Sequence, residues 1–437
     1  VVGLTWTGRT EPGPVAVPSV HTLSVHGAPS ASGDLLLQGD NLAALSWLLD
    51  QGWGGTVRLI YIDPPFASGA DYAQRIEPRG AGASGTRKLT KVQYTDTLSR
   101  DRFLQFLYER LVLLRDLLAP DGSLVLHLDA HIHYLARALL DEVFGADHFV
   151  NEIVWHYPDN FQGNVHGFAN NHNTLTWYRR GDRCVANPVR VPLPKPVKRD
   201  RRVWDKALKK VVAARDADGR ILYDTYTDKK ADDVWRIGQS SVSKRRSKEH
   251  CGYPTQKPLA LLDRVVQMGS NPGDRVLDAF VGSGTTAVSA QRLGRRWCGI
   301  DANPAAIAVT EQRLAVAAPG AAWTVMGVGD AAVVGDGRAA IAVERSGGGA
   351  RVSIQTFDSP ALRANLGLDD AEDWRRLVDC VQIDPDHDGG VFASRLTDAP
   401  GRRSELVQGV YELERAGPVV AVRILDLVGQ PVVVTGS

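Results

Sequence analysis

The stretch RVLDAFVGSGTTAVSA, Arg275 to Ala290, reads as a strand, a glycine turn and the start of a helix. Val276 and Leu277 form a short apolar run that ends on an acid, Asp278. Gly282 and Gly284 follow, and Thr285 opens a helical run to about residue 293. Glycines at such a turn let a ligand approach the backbone, and the helix start offers free N–H groups. Further on, the strand WCGID ends in a second acid, Asp301. An acid at the tip of a neighbouring strand can accept hydrogen bonds from ribose hydroxyls. The strict G-x-G-x-x-G pattern fails at Ala287, although its looser form allows alanine there. No Gly-Lys-Ser/Thr closes the turn, so the P-loop pattern is absent. A nicotinamide dinucleotide and S-adenosylmethionine both suit this segment, which does not choose between them.

Around this core the alternation continues. A helix is expected over 259–269, strands over 275–280 and 297–301, and helices over 285–293 and 304–315. Strands alternating with helices imply a mostly parallel sheet covered on both faces. Upstream, DLLLQGDNLAALSWLLDQ reads as strand, turn and helix, with Asp40 or Asn41 as its cap. VRLIYID is a second strand, and SLVLHL and NEIVWHY are two more. Residues 1–33 are rich in Pro, Gly and Ser and read as an arm. Residues 67–96 read as a mobile loop. Beyond about 325 the texture is β-like, interrupted by one helix expected at about 368–380; a small β-sandwich fits.

Bulk numbers bound the rest. The 437 residues are 43% hydrophobic and 23% charged, ordinary for a globular chain of two or three domains. Net charge is +1, but its distribution is uneven. Residues 195–249 hold 17 Lys/Arg against 9 Asp/Glu, and residues 330–437 hold 11 against 17. The basic middle suits a polyanion; the acidic tail does not. Four dispersed cysteines fit reduced thiols rather than a disulfide scaffold or zinc site. No apolar run has the length of a membrane span, and the N-terminus lacks the apolar core of a signal peptide. The missing initial Met predicts processing or trimming. His127, His131 and His133 around Asp129 read as polar turn and helix-start residues. DPDHDGG at 384–390 imitates a calcium loop but has Arg395 where a bidentate Glu is needed. No metal is expected.

The stretch RLIYIDPPFASG, Arg58 to Gly69, narrows the function. A buried strand stops on Asp63, two prolines and an aromatic, whereas an ordinary turn would use glycine or asparagine. Asp63-Pro64-Pro65-Phe66 resembles the D-P-P-[YF] motif of amino-methyltransferases acting on exocyclic nitrogens of DNA bases. Phe280-Val281-Gly282-Ser283-Gly284 is similar to their F-x-G-x-G donor motif, and Pro254 to Pro258 (PTQKP) resembles the segment before it. Catalytic motif first, polar insert second and donor motif last is the order of the β class. Residues 39–41 and 122–145 also look like β-class members, especially the modification subunits of type III restriction systems. The resemblance covers about 35–315.

The resemblance implies a Rossmann-like α/β methyltransferase fold with an inserted target-recognition region and a C-terminal β-rich domain. The expected division is an arm (1–33), a catalytic half (34–157), the recognition insert (158–250), a donor half (251–320) and a β-sandwich-like domain (325–437). The expected reaction moves a methyl group from S-adenosylmethionine to N6 of a flipped adenine. Asp63 and the Pro64 carbonyl would accept the two amino N–H groups, Pro64 and Pro65 would fix the backbone, and Phe66 would stack on the base. The donor would be held by Asp40, Asn41, Thr255, Lys257, Asp278, Phe280, Gly282, Gly284, Thr285 and Asp301. Asn170, Asn171, Arg201, Arg202, Lys244, Arg245 and Arg246 are candidate DNA contacts. Double-stranded DNA is the implied partner, with a homodimer and a restriction or defence partner as further options. The implied location is the bacterial cytoplasm, at the nucleoid. N4-cytosine is the alternative target, although relatives acting there usually show Ser in place of Asp63. A catalytically silent DNA-binding module is the alternative of another class, and RNA or protein-amide methylation a third.

Overall fold

The computed structural model describes residues 3–27, 33–66, 71–80, 89–95, 98–159, 168, 170–244, 247–329, 336–369, 371–400 and 404–437. The chain opens with strand β1 (Val20–His26), β2 (Leu35–Gln38), helix α1 (Asn41–Leu48) and β3 (Val57–Ile62). A hairpin follows, β4 (Asp71–Ile76) and β5 (Leu89–Thr95), then α2 (Arg100–Leu117), β6 (Leu118–Leu128) and α3 (His133–Phe144). Strands β7 (Phe149–His156) and β8 (His172–Arg179) lead to β9 (Arg190–Asp200), β10 (Arg202–Asp205), β11 (Lys210–Ala213), β12 (Tyr223–Lys230) and β13 (Val234–Arg236). After α4 (Ser240–Ser243) come α5 (Leu259–Gly269), β14 (Arg275–Asp278), α6 (Thr285–Arg292), β15 (Arg296–Asp301), α7 (Pro304–Ala317) and β16 (Trp323–Val328).

These strands build one large sheet, β13-β7-β8-β6-β3-β14-β15-β2-β16-β1-β20, where β20 is Phe392–Ser394. Its centre, from β6 to β16, is parallel throughout. Side-chain alternation divides the core between the two faces. On β3, Ile60 and Ile62 pack with Leu45, Leu107, Leu111 and Leu139 from α1, α2 and α3. Leu59 and Tyr61 face the other way, with Leu262, Val265, Val288, Ile307 and Leu314 from α5, α6 and α7. This is the mostly parallel sheet, covered on both faces, that the alternation implies. It brings the carboxyl ends of β3, β14 and β15 side by side, where ligands bind in open α/β sheets.

The C-terminal region holds β17 (Arg338–Ser346), β18 (Gly349–Asp358), α8 (Pro360–Leu366), β19 (Val378–Asp384), β21 (Leu396–Asp398), β22 (Val410–Leu413), β23 (Val420–Asp426) and β24 (Pro431–Gly436). Sheets β17-β18-β22 and β21-β19-β23-β24 share a core of Val352, Ile354, Phe357, Val381, Ile383, Val422 and Ile424.

Four local expectations change. Residues 20–26, read as part of an arm, form a strand paired with β16 and β20. The helix expected at 368–380 is absent among the described residues. The helix lies earlier, at Pro360–Leu366, a single 3-10 turn spans Trp374–Leu377, and Val378–Asp384 is a strand. A short apolar run buried on both faces carries no period that separates strand from helix. The segment 67–96, read as a loop, contains the antiparallel hairpin β4–β5. Its strands are polar, so hydrophobic periodicity missed them. Finally, β8 and β13 lie inside the region assigned to the insert yet belong to the main sheet. Among the described residues, the strands left to the insert form two antiparallel ribbons, β9–β12 and β10–β11, followed by the short helix α4. No helix among the described residues is long and apolar enough to cross a membrane.

Candidate active site

A cavity of 480 Å³ opens at the carboxyl ends of the central strands, within the roughly 300–1,000 Å³ common for ligand pockets. Strand β3 delivers Asp63, β14 delivers Asp278 and β15 delivers Asp301 to its wall. Asp40, Asn41, Pro65, Thr255, Lys257, Phe280, Gly282 and Thr285 also line it. Residues drawn from six separated stretches of the chain, between Asp40 and Pro304, therefore meet at one place. Pro64, Phe66 and Gly284 do not line this cavity. A Cβ on Gly284 would lie 2.6 Å from Thr310 Oγ1, so glycine there (φ +78°) serves the seating of α6 on α7.

Each acid has a distinct setting. Asp278 is buried and accepts from Phe280 N at 2.9 Å and Thr286 Oγ1 at 2.5 Å. Asp301 accepts from Gly282 N and Asn303 N, both at 2.9 Å, and so pins the glycine turn to its own strand tip. Asp40 caps α1 through Ala43 N at 3.1 Å and pairs with Arg110 Nη2 at 3.1 Å. Arg110 Nε also donates to Asn41 Oδ1, whose amide donates to Ala279 O at 2.8 Å. The start of α1 is thereby tied to the turn after β14.

Asp63 has two unlike oxygens. Lys257 Nζ sits 2.5 Å from Oδ2 and also donates to Thr255 O at 3.2 Å. Thr255 holds φ +61°, a left-handed conformation unusual for a β-branched residue, and such strain concentrates at functional sites. Oδ1 has no hydrogen-bond partner among the described residues and lies 3.7 Å from His127 Nδ1. Burial raises the Asp63 carboxyl above its ordinary range, while Lys257 pulls it back down. His127 is fully buried on β6. Burial and the nearby Lys257 charge hold it well below the usual histidine range, so its imidazole is neutral. Its ring nitrogens lie 2.7 Å from Tyr61 Oη and 3.0 Å from Asn173 Nδ2, and Tyr157 Oη donates to Asn173 Oδ1 at 3.3 Å. A buried polar network thus stands behind the acid. Phe66 lies over this group, its ring 6.0 Å from that of His127 and 5.6 Å from Lys257 Nζ.

Sequence reading missed Tyr61, Phe106, Arg110, His127, Tyr157, Asn173 and Tyr253 as parts of the site. Of these, Tyr61 alone had a signal, its place two residues before Asp63 on the same face of the strand. The three histidines do not converge: His131 pairs with Asp129 at 3.0 Å, and His133 lies 2.8 Å from Thr176 Oγ1.

The candidate DNA contacts fall on the insert and its flanks. Arg201 pairs with Asp224 at 2.7 Å, Arg202 lies 3.4 Å from Asp200, and Asn171 Nδ2 lies 3.1 Å from His156 Nε2. Asn170 sits just before β8, and Lys244 is exposed at the end of α4. Arg245 and Arg246 lie outside the described residues.

An acid-tipped parallel sheet with a glycine turn and an acid–proline turn on one cavity suits an enzyme that takes a ribose-bearing ligand. The chain belongs to the N6/N4 DNA methylase family, whose model matches residues 57–312. It is thus a DNA methyltransferase, and S-adenosylmethionine is the methyl donor. It is 27% identical over 329 residues to the type II methyltransferase M.EcaI of Enterobacter cloacae, covering 63% of this chain and 68% of that one. It is 27% identical over 265 residues to the type II methyltransferase M1.MboII of Moraxella bovis, covering 58% and 88%. A solved M1.HpyAVI–SAM complex matches with 18% identity and a TM-score of 0.40 over 64% of this chain and 98% of that one. These named relatives do not include a type III modification subunit.

The lining fits a cationic donor. Asp40, Asp63, Asp278 and Asp301 face the cavity, and Lys257, a cation in the same wall, is already paired with Asp63. Burial pushes Asp278 up to about 7 and Asp301 up to about 6. In the ligand-free protein, these groups keep protons that the unfolded chain releases. Their ionisation therefore costs stability as pH rises from the ordinary carboxylate range towards 7. A bound cation reverses that preference. We expect S-adenosylmethionine to bind about tenfold more weakly at pH 5.5 than at pH 8, a change of about one pKa unit of coupling. Titration calorimetry across that range checks this, and a flat profile contradicts it. Asp301→Asn is expected to remove part of the dependence.

Proposed function

We propose that this methyltransferase acts on N6 of adenine within a specific sequence of double-stranded DNA. The observation that carries the reading is Asp63, held at the tip of β3 beside the cavity that Asp278 and Asp301 line. Asp63 and the Pro64 carbonyl accept the two N–H groups of the base and draw its nitrogen towards a tetrahedral shape. Neither proline has an N–H to compete for these acceptors. Phe66 stacks on the base, which has left the duplex to reach the pocket. When bound, S-adenosylmethionine supplies a methyl group on a sulfonium. The carbon–sulfur bond breaks as the carbon–nitrogen bond forms, and the proton released from nitrogen passes to Asp63. A carboxylate whose proton affinity is raised by burial suits that last step.

The same reading makes residues 34–157 the catalytic half and 251–320 the donor half, with target recognition in the ribbons β9–β12 and β10–β11 inserted between them. On the insert, 17 Lys/Arg against 9 Asp/Glu between 195 and 249 support phosphate contact. Arg190, Arg201, Arg202 and Lys229 already have carboxylate neighbours, which favours the remaining cations of the ribbons as first contacts. We place the protein in the bacterial cytoplasm as the modification arm of a restriction or defence system, a role the type II names of its relatives support. The test is to incubate the purified protein with donor and unmethylated plasmid, digest to nucleosides and separate them by mass spectrometry. N6-methyladenine is expected. N4-methylcytosine would replace the target base, and no methylated nucleoside despite donor binding would leave a silent binding module.

A further inference from the structure

The C-terminal domain lies outside the matched family region, yet it grips a segment that leaves the catalytic motif. The hairpin β4–β5 is inserted between Phe66 and α2. One of its ends leads from Asp63-Pro64-Pro65-Phe66. The other leads into α2, where Phe106 lines the cavity and Arg110 holds Asp40 and Asn41. With six residues at roughly 3.3 Å each, β4 carries the far end of the hairpin about 20 Å along its own length.

That far end is docked. Ile76 is buried in the C-terminal core with Val352, Leu377, Val407 and Tyr411, and Leu89 packs against the same core. Arg79 is only 5% exposed, and its Nε donates to Asp379 Oδ1 at 2.7 Å. Its N–H donates to Arg376 O at 2.9 Å, and Arg376 Nε donates back to Arg79 O at 3.2 Å. The domain that makes this grip is itself fixed to α7. Arg423 of β23 donates to Glu311 at 3.1 Å, Glu311 lies 2.8 Å from His26 Nε2, and Gln312 donates to Pro400 O at 3.3 Å. Glu311 is fully buried, and Arg423 holds its carboxyl down at about 2 despite that burial. A buried, multiply bonded ion pair of this kind defines one geometry, since breaking it strands a charge.

We propose that the C-terminal domain clamps the catalytic segment, with Arg79 as the positioning residue. Through Arg79 and Ile76 it ties the hairpin that follows Asp63 to α7, the helix that follows Asp301. The acid that receives the base and the turn that receives the donor are then held in one frame. This inference rests on the methyltransferase reading above. Without the clamp, Ile76 and Arg79 lose their hold on the C-terminal core, and the conformational freedom gained by the hairpin passes to the catalytic motif.

Arg79→Ala should lower the single-turnover methyl-transfer rate about 10- to 100-fold, the scale of an ångström misplacement. Affinity for S-adenosylmethionine should stay within about twofold, because the donor turn is untouched. Amide hydrogen exchange over residues 71–95 should accelerate at least about tenfold. Arg79→Lys should recover part of the rate. The exchanged pair, Arg79→Asp with Asp379→Arg, should recover both rate and exchange protection relative to either single variant. Two outcomes overturn the proposal. One is a rate within about twofold of wild type in both Arg79→Ala and Asp379→Ala. The other is a parallel loss of rate, donor affinity and melting temperature that the exchanged pair does not restore. If the wild-type protein methylated no DNA, the function reading would fail on its own. The exchange measurement would still decide whether the C-terminal domain holds the hairpin.

Discussion

Asp63→Ala is expected to abolish methyl transfer, with a single-turnover rate reduced about 1,000-fold or more, while S-adenosylmethionine should still bind within a few-fold of wild type. The exocyclic amine of adenine is a poor nucleophile because its lone pair is delocalised into the ring. In the proposed mechanism Asp63 is a rigid acceptor that draws one N–H into line and localises that pair, and the same group takes the proton at the end. Alanine removes both actions. The donor turn stays intact because Asp278 and Asp301 bond to Phe280, Thr286, Gly282 and Asn303, and not to Asp63. Rapid-quench assays with labelled donor and a duplex containing the recognition site measure the rate, and calorimetry measures the donor affinity. Turnover near the wild-type rate would remove Asp63 from the mechanism.

The second large effect is expected at Lys257. Its ammonium group lies 2.5 Å from Asp63 Oδ2 and works against the burial that raises the Asp63 carboxyl. In the proposed mechanism transfer needs the ionised acid as acceptor, so activity should fall as pH drops through the range in which Asp63 titrates. Lys257→Gln removes the lowering influence and leaves burial unopposed. The acidic limb of the rate profile should therefore move to higher pH, so that on that limb the variant is slower than wild type at the same pH. Raising the pH should restore most of the loss, since the carboxyl then ionises without help. His127 does not compensate, because it is neutral and fully buried, and Tyr61 Oη and Asn173 Nδ2 already lie within hydrogen-bonding distance of its ring nitrogens. Single-turnover rates between pH 6 and 9 decide the matter. Superimposable profiles for wild type and variant would mean that Lys257 does not tune the acid. A rate loss matched by lost donor affinity at every pH would make Lys257 a donor ligand instead.

Legibility of the site followed the range of the interactions. Asp278, Gly282 and Thr285 were readable because strand, turn and helix start are contiguous in the chain. Asp63 was readable because two prolines after a buried strand have few structural reasons. Gly284 was read as a donor contact, but its smallness answers to Thr310 across the helix packing. Arg110 looked like one more polar position on an amphipathic helix, yet it is buried against Asp40 and Asn41. The hairpin at 71–95 and the strand at 378–384 were misread for opposite reasons. The first is too polar to show an apolar period, and the second is too uniformly buried to show any period.

The amino-acid order alone determined the local chemistry: an acid–proline fork, a glycine turn beneath a helix start, and the alternation that makes the sheet parallel. These are properties of neighbours along the chain, where backbone geometry leaves few options. The tertiary structure alone decided which buried groups answer one another. Lys257 meets Asp63, Tyr61 and Asn173 close on His127, and Asp379 takes hold of Arg79. Such pairings depend on burial and on distances set by the packing of whole layers, and a charge carries no mark in the sequence of the partner it will find.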